Sequence, residues 1–206
     1  MRQFSSEMTI FAVGAKQAQA FTAAVTNIIT SNAHGLSVGD CLQFTTSTTL
    51  PAGLSLLTNY YVISKTTNTF KVSATPGGTE VDITDTGTGT HTYHLYGKVF
   101  MVSDWKNVEV ALYTANSASM TIKIQGSNQD TVDFNAAQSS TNRWDYVQLK
   151  DLNNENAING DTGIALTGTD EAANYEINTN AFKYVTAIVT SYTAGNLNLI
   201  MTGYSD

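Results

Sequence analysis

Cysteine, proline and charge are all scarce in this chain of 206 residues. Cys41 is the only cysteine, so no intramolecular disulfide can staple the fold and packing alone must hold it. One thiol is as compatible with assembly in a cytoplasm as with secretion. The two prolines are Pro51 and Pro76. Charged residues make up 13% of the chain, about half the usual share. Thr, Ser, Asn and Gly take the polar positions instead. Such a surface is neutral and rich in hydrogen-bonding groups, suited to broad contacts with neighbouring proteins.

Further absences remove whole classes of function. The formal net charge is −7, and Lys98, Lys106, Lys123 and Lys150 are scattered, so the basic stripe that nucleic-acid binding needs is missing. No run of 18 apolar residues occurs, which excludes a membrane-spanning helix. The apolar stretch Met8–Val13 is too short for the core of a signal peptide, so no secretory leader is expected. The chain also lacks any Asn-x-Ser/Thr glycosylation acceptor.

What is present is strand-and-turn grammar. Between Thr26 and Tyr96, short runs rich in Val, Ile, Thr, Tyr and Phe alternate with turn clusters. The runs are Val25–Thr30, Asp40–Thr45, Tyr60–Ser64, Thr69–Ser73 and Thr90–Tyr96. Gly35 and Gly39, in HGLSVGD, are placed to supply left-handed turn positions, and Pro76-Gly77-Gly78 is a strong turn signal. The expected inward residues are Ile28, Leu36, Val38, Leu42, Phe44, Leu54, Tyr61, Ile63, Phe70, Val72 and Val81.

The flanks have a denser β character. Residues 1–7 read as a loose arm and Met8–Val13 as a first strand. Ala15–Ala24 reads as a short helix or a connector. Val108–Thr114 and Met120–Gly126 alternate cleanly and are expected as two strands joined by a turn at ANSAS. Tyr184–Tyr192 and Leu197–Tyr204 are expected as a final hairpin around TAGN. The expected fold is all-β: a jelly-roll-like β-sandwich with an inserted small β-barrel or β-rich module. The partition is 1–20 for the arm and first strand, 21–97 for the inserted module, and 98–206 for the main sandwich.

The elements HGLSVGD, LPAGL, Tyr60-Tyr61-Val62-Ile63, NTFKVS and GTGT, in that order over about 70 residues, resemble a recurrent module of tailed-phage virion proteins. The stretches from SDWKNVEV through KIQGSN to the C-terminal TGYSD are similar to jelly-roll-like domains of phage structural proteins. The resemblance implies a virion component and brings no catalytic residues with it.

Candidate chemistry is sparse. His91 and His94, three apart in a strand, fall on opposite faces and do not make a zinc pair. His34 sits in a turn, and Cys41 reads as a small buried hydrophobe. Asp151, Asn153, Glu155 and Asp161 put oxygens at alternate positions of one loop, but without the glycine and terminal Glu spacing of an EF-hand. No catalytic residue, cofactor or metal is therefore expected, and the chain is not expected to be an enzyme. Trp105, Trp144 and Tyr146, with Tyr113 and Tyr192, are candidates either for core and subunit contact or for stacking on a sugar ring.

The expected function is that of a structural virion protein. It would be assembled in the host cytoplasm and decorate or cement the capsid surface as a homo-oligomer, a trimer or a dimer, bound to the major capsid protein. The alternative is a tail- or fibre-associated receptor-binding module that holds a host surface glycan. A third reading is a free carbohydrate-binding domain of a bacterial surface protein. The chain has no repetitive or coiled-coil shaft, which counts against a long fibre.

Overall fold

Alternating apolar residues produce strands throughout, and no helix forms among the described residues of this computed structural model, which cover 4–12, 14–179 and 181–205. Two compact units emerge, Met1–Val13 with Gly97–Asp206, and Gly14–Tyr96. The fold is all-β, a sandwich-type sheet with an inserted closed barrel, as the strand grammar predicts. The segment 14–20, grouped with the arm on sequence grounds, belongs to the barrel unit.

The first strand, β1, spans Phe4–Phe11. It therefore takes in part of the stretch expected as a loose arm, because Phe4–Glu7 pair with Ser205–Thr202. The rest of the expected arm, residues 1–3, lies outside the described residues, as does Val13.

The barrel unit contains β2 (Ala18–Ala24), β3 (Ile28–Thr30), β4 (Cys41–Thr46), β5 (Tyr60–Lys65), β6 (Thr69–Ser73) and β7 (His91–Tyr96). They close in the order β2-β3-β6-β5-β4-β7. The Ala/Gln-rich segment at β2 is a strand, neither helix nor connector. Its Phe21 is buried, and pairing with β7 closes the barrel. A chain of rings fills the interior. Phe21 meets Phe44 at 5.0 Å, Phe44 meets Tyr60 at 5.4 Å, and Phe70 meets Tyr93 edge-on at 5.7 Å. Bulky aromatics let a small barrel bury enough apolar area without a disulfide. Gly35 (φ 69°) and Gly39 (φ 91°) take the left-handed conformation expected of them. At Gly35 a Cβ would lie 1.7 Å from the Gly14 carbonyl oxygen, so only glycine fits.

Leu36, Leu42, Phe44, Leu54, Phe70 and Val72 are buried as expected. The parity of β5 is the reverse of the expected one. Tyr60 and Val62 point inward, while Tyr61 and Ile63 are half-buried. Tyr-Tyr-Val-Ile has no alternation of its own, so the register against β4 (Leu42 opposite Tyr60) decides its faces. By the same kind of shift Ile29 and Ile83 are buried rather than Ile28 and Val81, and Val38 is 60% exposed.

The other unit adds β8 (Phe100–Met101), β9 (Asn107–Ser127), β10 (Asp145–Tyr146), β11 (Leu149–Asp151), β12 (Ala157–Ile158), β13 (Ile164–Leu166), β14 (Ala172–Asn178) and β15 (Tyr184–Ser205). Two expected turns are absent. ANSAS and TAGN lie inside two continuous strands, β9 and β15, which pair from Tyr184 opposite Ser127 to Tyr204 opposite Asn107. The ribbon bends where Asn116, Ser117 and Ala118 of β9 stand opposite Gly195 alone. Asn116 and Ser117 adopt φ of 64° and 54°. The Asn-Ser signal does produce left-handed backbone, but as a bulge, because β15 continues alongside.

Burial keeps its parity across the bend. Val108, Val110 and Leu112 are buried before it, and Met120, Ile122 and Ile124 after it. Buried Met201, Leu199 and Ala187 lie opposite Val110, Leu112 and Ile124, and buried Val185 lies opposite Gly126. One half of the ribbon carries β1 and β14, and the other carries β8, β10 and β13.

Gly195 has φ 91°, and a Cβ there would lie 2.5 Å from the Ala118 Cα. Gly195→Val is expected to destabilise the protein by about 2 kcal/mol or more, combining a forbidden φ with overpacking. Urea unfolding of the variant beside the parent checks this, and an unchanged midpoint would contradict the bend.

Candidate functional site

Trp144 and Tyr146 lie two residues apart where the chain enters β10. Trp144 immediately precedes the strand and Tyr146 lies in it, and their side chains come together. Their rings meet edge to face at 5.3 Å. The indole Nε1–H of Trp144 donates to the Ala136 carbonyl oxygen at 3.2 Å, which fixes the ring. The Lys123 ammonium lies 4.4 Å from the Tyr146 ring centroid, a cation–π contact. Burial, and then the charge of Asp161, raise the Tyr146 phenol above its ordinary pKa.

Trp144 lines an open groove of about 560 Å³ together with Phe182, Arg143, Asp145, Asn128 and Gly126. Gly126 belongs to β9, and a Cβ there would lie 2.8 Å from both the Phe182 ring and the Val147 side chain. The missing side chain therefore lets the Phe182 ring rest against the strand. Ser127 Oγ donates to the Arg143 carbonyl at 2.5 Å, and the Arg143 amide donates to Gln129 Oε1. The Arg143 backbone is anchored in this way. Among the described residues its guanidinium has no ion-pair or hydrogen-bond partner, and it also borders a second depression of about 340 Å³ beside Gln138 and Ser139.

Trp105 has a different set of neighbours. Its ring packs on Gly203 of β15, where a Cβ would come within 2.5 Å of it. Its carbonyl accepts the Thr179 hydroxyl at 2.6 Å. Of the three aromatic candidates, then, Trp144 and Tyr146 come together and Trp105 packs on the ribbon.

The other candidates are placed as follows. His91 is buried on the inner face of β7, while His94 is half-buried on its outer face. Cys41 is buried in β4. The Asp151–Asp161 loop is a series of turns closed by its own side chains. Asp151 Oδ1 accepts the Asn153 amide at 2.8 Å, Asn154 Oδ1 the Asn156 amide at 2.9 Å, and Asn159 Oδ1 the Asp161 amide at 2.8 Å.

No protein-family model matches the chain, and no curated protein does. Among solved structures it is similar to the SPBc2 prophage-derived protein YomS, at 15% identity and a TM-score of 0.38, over 53% of this chain and 80% of that one. It is also similar to the PBSX exported protein XepA, at 10% identity and a TM-score of 0.40, over 99% of this chain and 82% of that one. Likeness at this level transfers no function.

His34 is fully buried in the barrel, edge-on to Phe70 at 5.2 Å. The Leu36 amide donates to Nδ1 at 2.9 Å, so Nδ1 carries no proton and Nε2–H faces the Thr69 carbonyl at 3.3 Å. Burial first, opposed by the Thr69 hydrogen bond, lowers its pKa. Lys65 and Lys16 lower it further, and Asp40 opposes them. Burial also lowers His94. With folded values below the ordinary 6.5, both contribute stability that is complete above that pH and lost as pH falls below it. The melting temperature is therefore expected to drop between about pH 7.5 and pH 5.5, with a smaller drop in His34→Gln. Calorimetry at the two pH values checks both expectations.

Proposed function

We propose that this chain is a non-enzymatic virion structural protein that decorates a phage capsid and stabilises the head by bridging capsomers. The observation that carries the reading is the open edge of the larger sheet. β1 is its terminal strand; among the described residues its strand partner is β15, and near its end the Lys98 amide donates to the Ile10 carbonyl at 3.4 Å. Its eight residues, FSSEMTIF, contain one charge, no lysine and no proline, and Ser5, Ser6 and Glu7 are exposed. Sheet edges that must stay unpaired are ordinarily blunted by charge, proline or brevity. The opposite end of the same sheet is blunted, because β12 has two residues.

An open edge accepts an extended strand of a neighbouring subunit through main-chain hydrogen bonds. Copies joined in this way form the homo-oligomer, and the oligomer engages the major capsid protein at the capsid surface. Many weak neutral contacts made together give avidity without a strong individual site. Two further features support the reading. The Thr26–Tyr96 module resembles one that recurs in tailed-phage virion proteins. In the loop between β4 and β5, Leu56 and Leu57 are 57% and 86% exposed, and Leu57 is held at φ 56°. Large apolar side chains kept in water, one of them on a strained backbone, suit a contact surface.

Purified protein mixed with undecorated capsids is expected to be taken up stoichiometrically, as read by co-sedimentation. Ser5→Lys combined with Ser6→Lys is expected to weaken uptake while leaving stability within about 0.5 kcal/mol of the parent. A monomer that no capsid takes up would overturn the reading.

A further inference from the structure

The groove beside β10 has no part in edge pairing, and its chemistry points elsewhere. It combines the Trp144 and Phe182 rings with Arg143, Asp145 and Asn128, groups that donate and accept hydrogen bonds. Its volume, about 560 Å³, lies within the roughly 300–1,000 Å³ typical of small-molecule sites. We propose that it binds a neutral hexopyranose unit of an oligosaccharide.

Three observations select that ligand class. Trp144 is pre-positioned, since its Nε1–H is held by Ala136 and the ring is braced by Tyr146, which is itself covered by Lys123. A rigid aromatic wall orders little on binding and suits the apolar C–H face of a pyranose. Polar partners flank the rings. The Arg143 guanidinium is uncommitted among the described residues, and Asp145 uses Oδ1 on the Tyr146 amide at 2.8 Å, leaving Oδ2 to accept a hydroxyl. A guanidinium and a carboxylate together can donate to and accept from vicinal hydroxyls. Finally, the two charges cancel. Arg143 and Asp145 are the charged residues of this groove, so a uronate or phosphate gains from one what it loses to the other.

The test uses the intact chain and a panel of neutral trisaccharides: maltotriose, cellotriose and chitotriose. Trp105 and Trp144 give two indole N–H signals in a ¹H–¹⁵N spectrum, and Trp144→Phe assigns them. At least one sugar is expected to shift the Trp144 indole signal saturably and leave that of Trp105 in place. Trp144→Ala is expected to weaken binding roughly tenfold or more, with amide shifts confined to the ring's neighbours such as Ala136 and Tyr146. Arg143→Gln, an exposed change that leaves the ring in place, is expected to weaken binding by a smaller factor. Absence of any shift at tens of millimolar sugar would overturn the proposal, as would binding that survives Trp144→Ala. Capsid uptake is read separately, so either proposal can fail alone.

Discussion

The antiparallel pairing of β9 with β15 runs from Asn107 to Ser127 on one strand and from Tyr204 back to Tyr184 on the other. Every other strand of that unit, apart from the short β11–β12 extension, is hydrogen-bonded to one of these two. The ribbon keeps its buried parity through the bend, so the apolar residues on both of its halves share one face. The bend depends on a backbone that three residues of β9 and the single Gly195 of β15 can satisfy together. The partners are distant in sequence, and loop closure must be overcome before their contacts form. Such pairing is intrinsically slow. The barrel strands pair mostly with nearer neighbours, and their aromatic interior can consolidate earlier.

Much of this was legible in the sequence because alternation reports burial directly. Val108, Val110, Leu112, Met120, Ile122 and Ile124 announce their face, and Thr69–Ser73 has the expected bounds. The continuity of β9 and β15 was hidden. Asn-Ser and Gly-Asn favour left-handed backbone whether it serves a turn or a bulge, and only the partner strand distinguishes the two. At β2, alanine and glutamine carry helical propensity that barrel closure overrides. β14 has only Tyr175 and Ile177 as buried anchors, too few to stand out among Asn and Ala. Of the groove, Trp144 stood out as an aromatic candidate, and Tyr146 packs on it from outside the lining. Phe182 and Gly126 did not stand out, because their meeting depends on the register of β15 against β9.

The surface chemistry follows from composition. Only 13% of residues are charged, so few groups are at hand for charge-pair recognition at contact. Recognition must then come from main-chain edges, exposed aliphatic side chains and fixed aromatic walls, which act only at contact. In the two proposals made above, the open β1 edge meets polypeptide and the rigid Trp144 wall meets a sugar face.

The barrel closes by pairing its first strand with its last, Ala18 opposite His94 and Phe21 opposite His91. Its entry and exit therefore leave as hydrogen-bonded neighbours, separated by about one interstrand spacing of 4.8 Å. In the host unit the Lys98 amide donates to the Ile10 carbonyl at 3.4 Å, so the host ends also lie side by side and a connector of a few residues would join them. The module is thus a removable cassette: evolution, or a protein engineer, can delete it or graft it into another host without either partner having to reopen its own sheet.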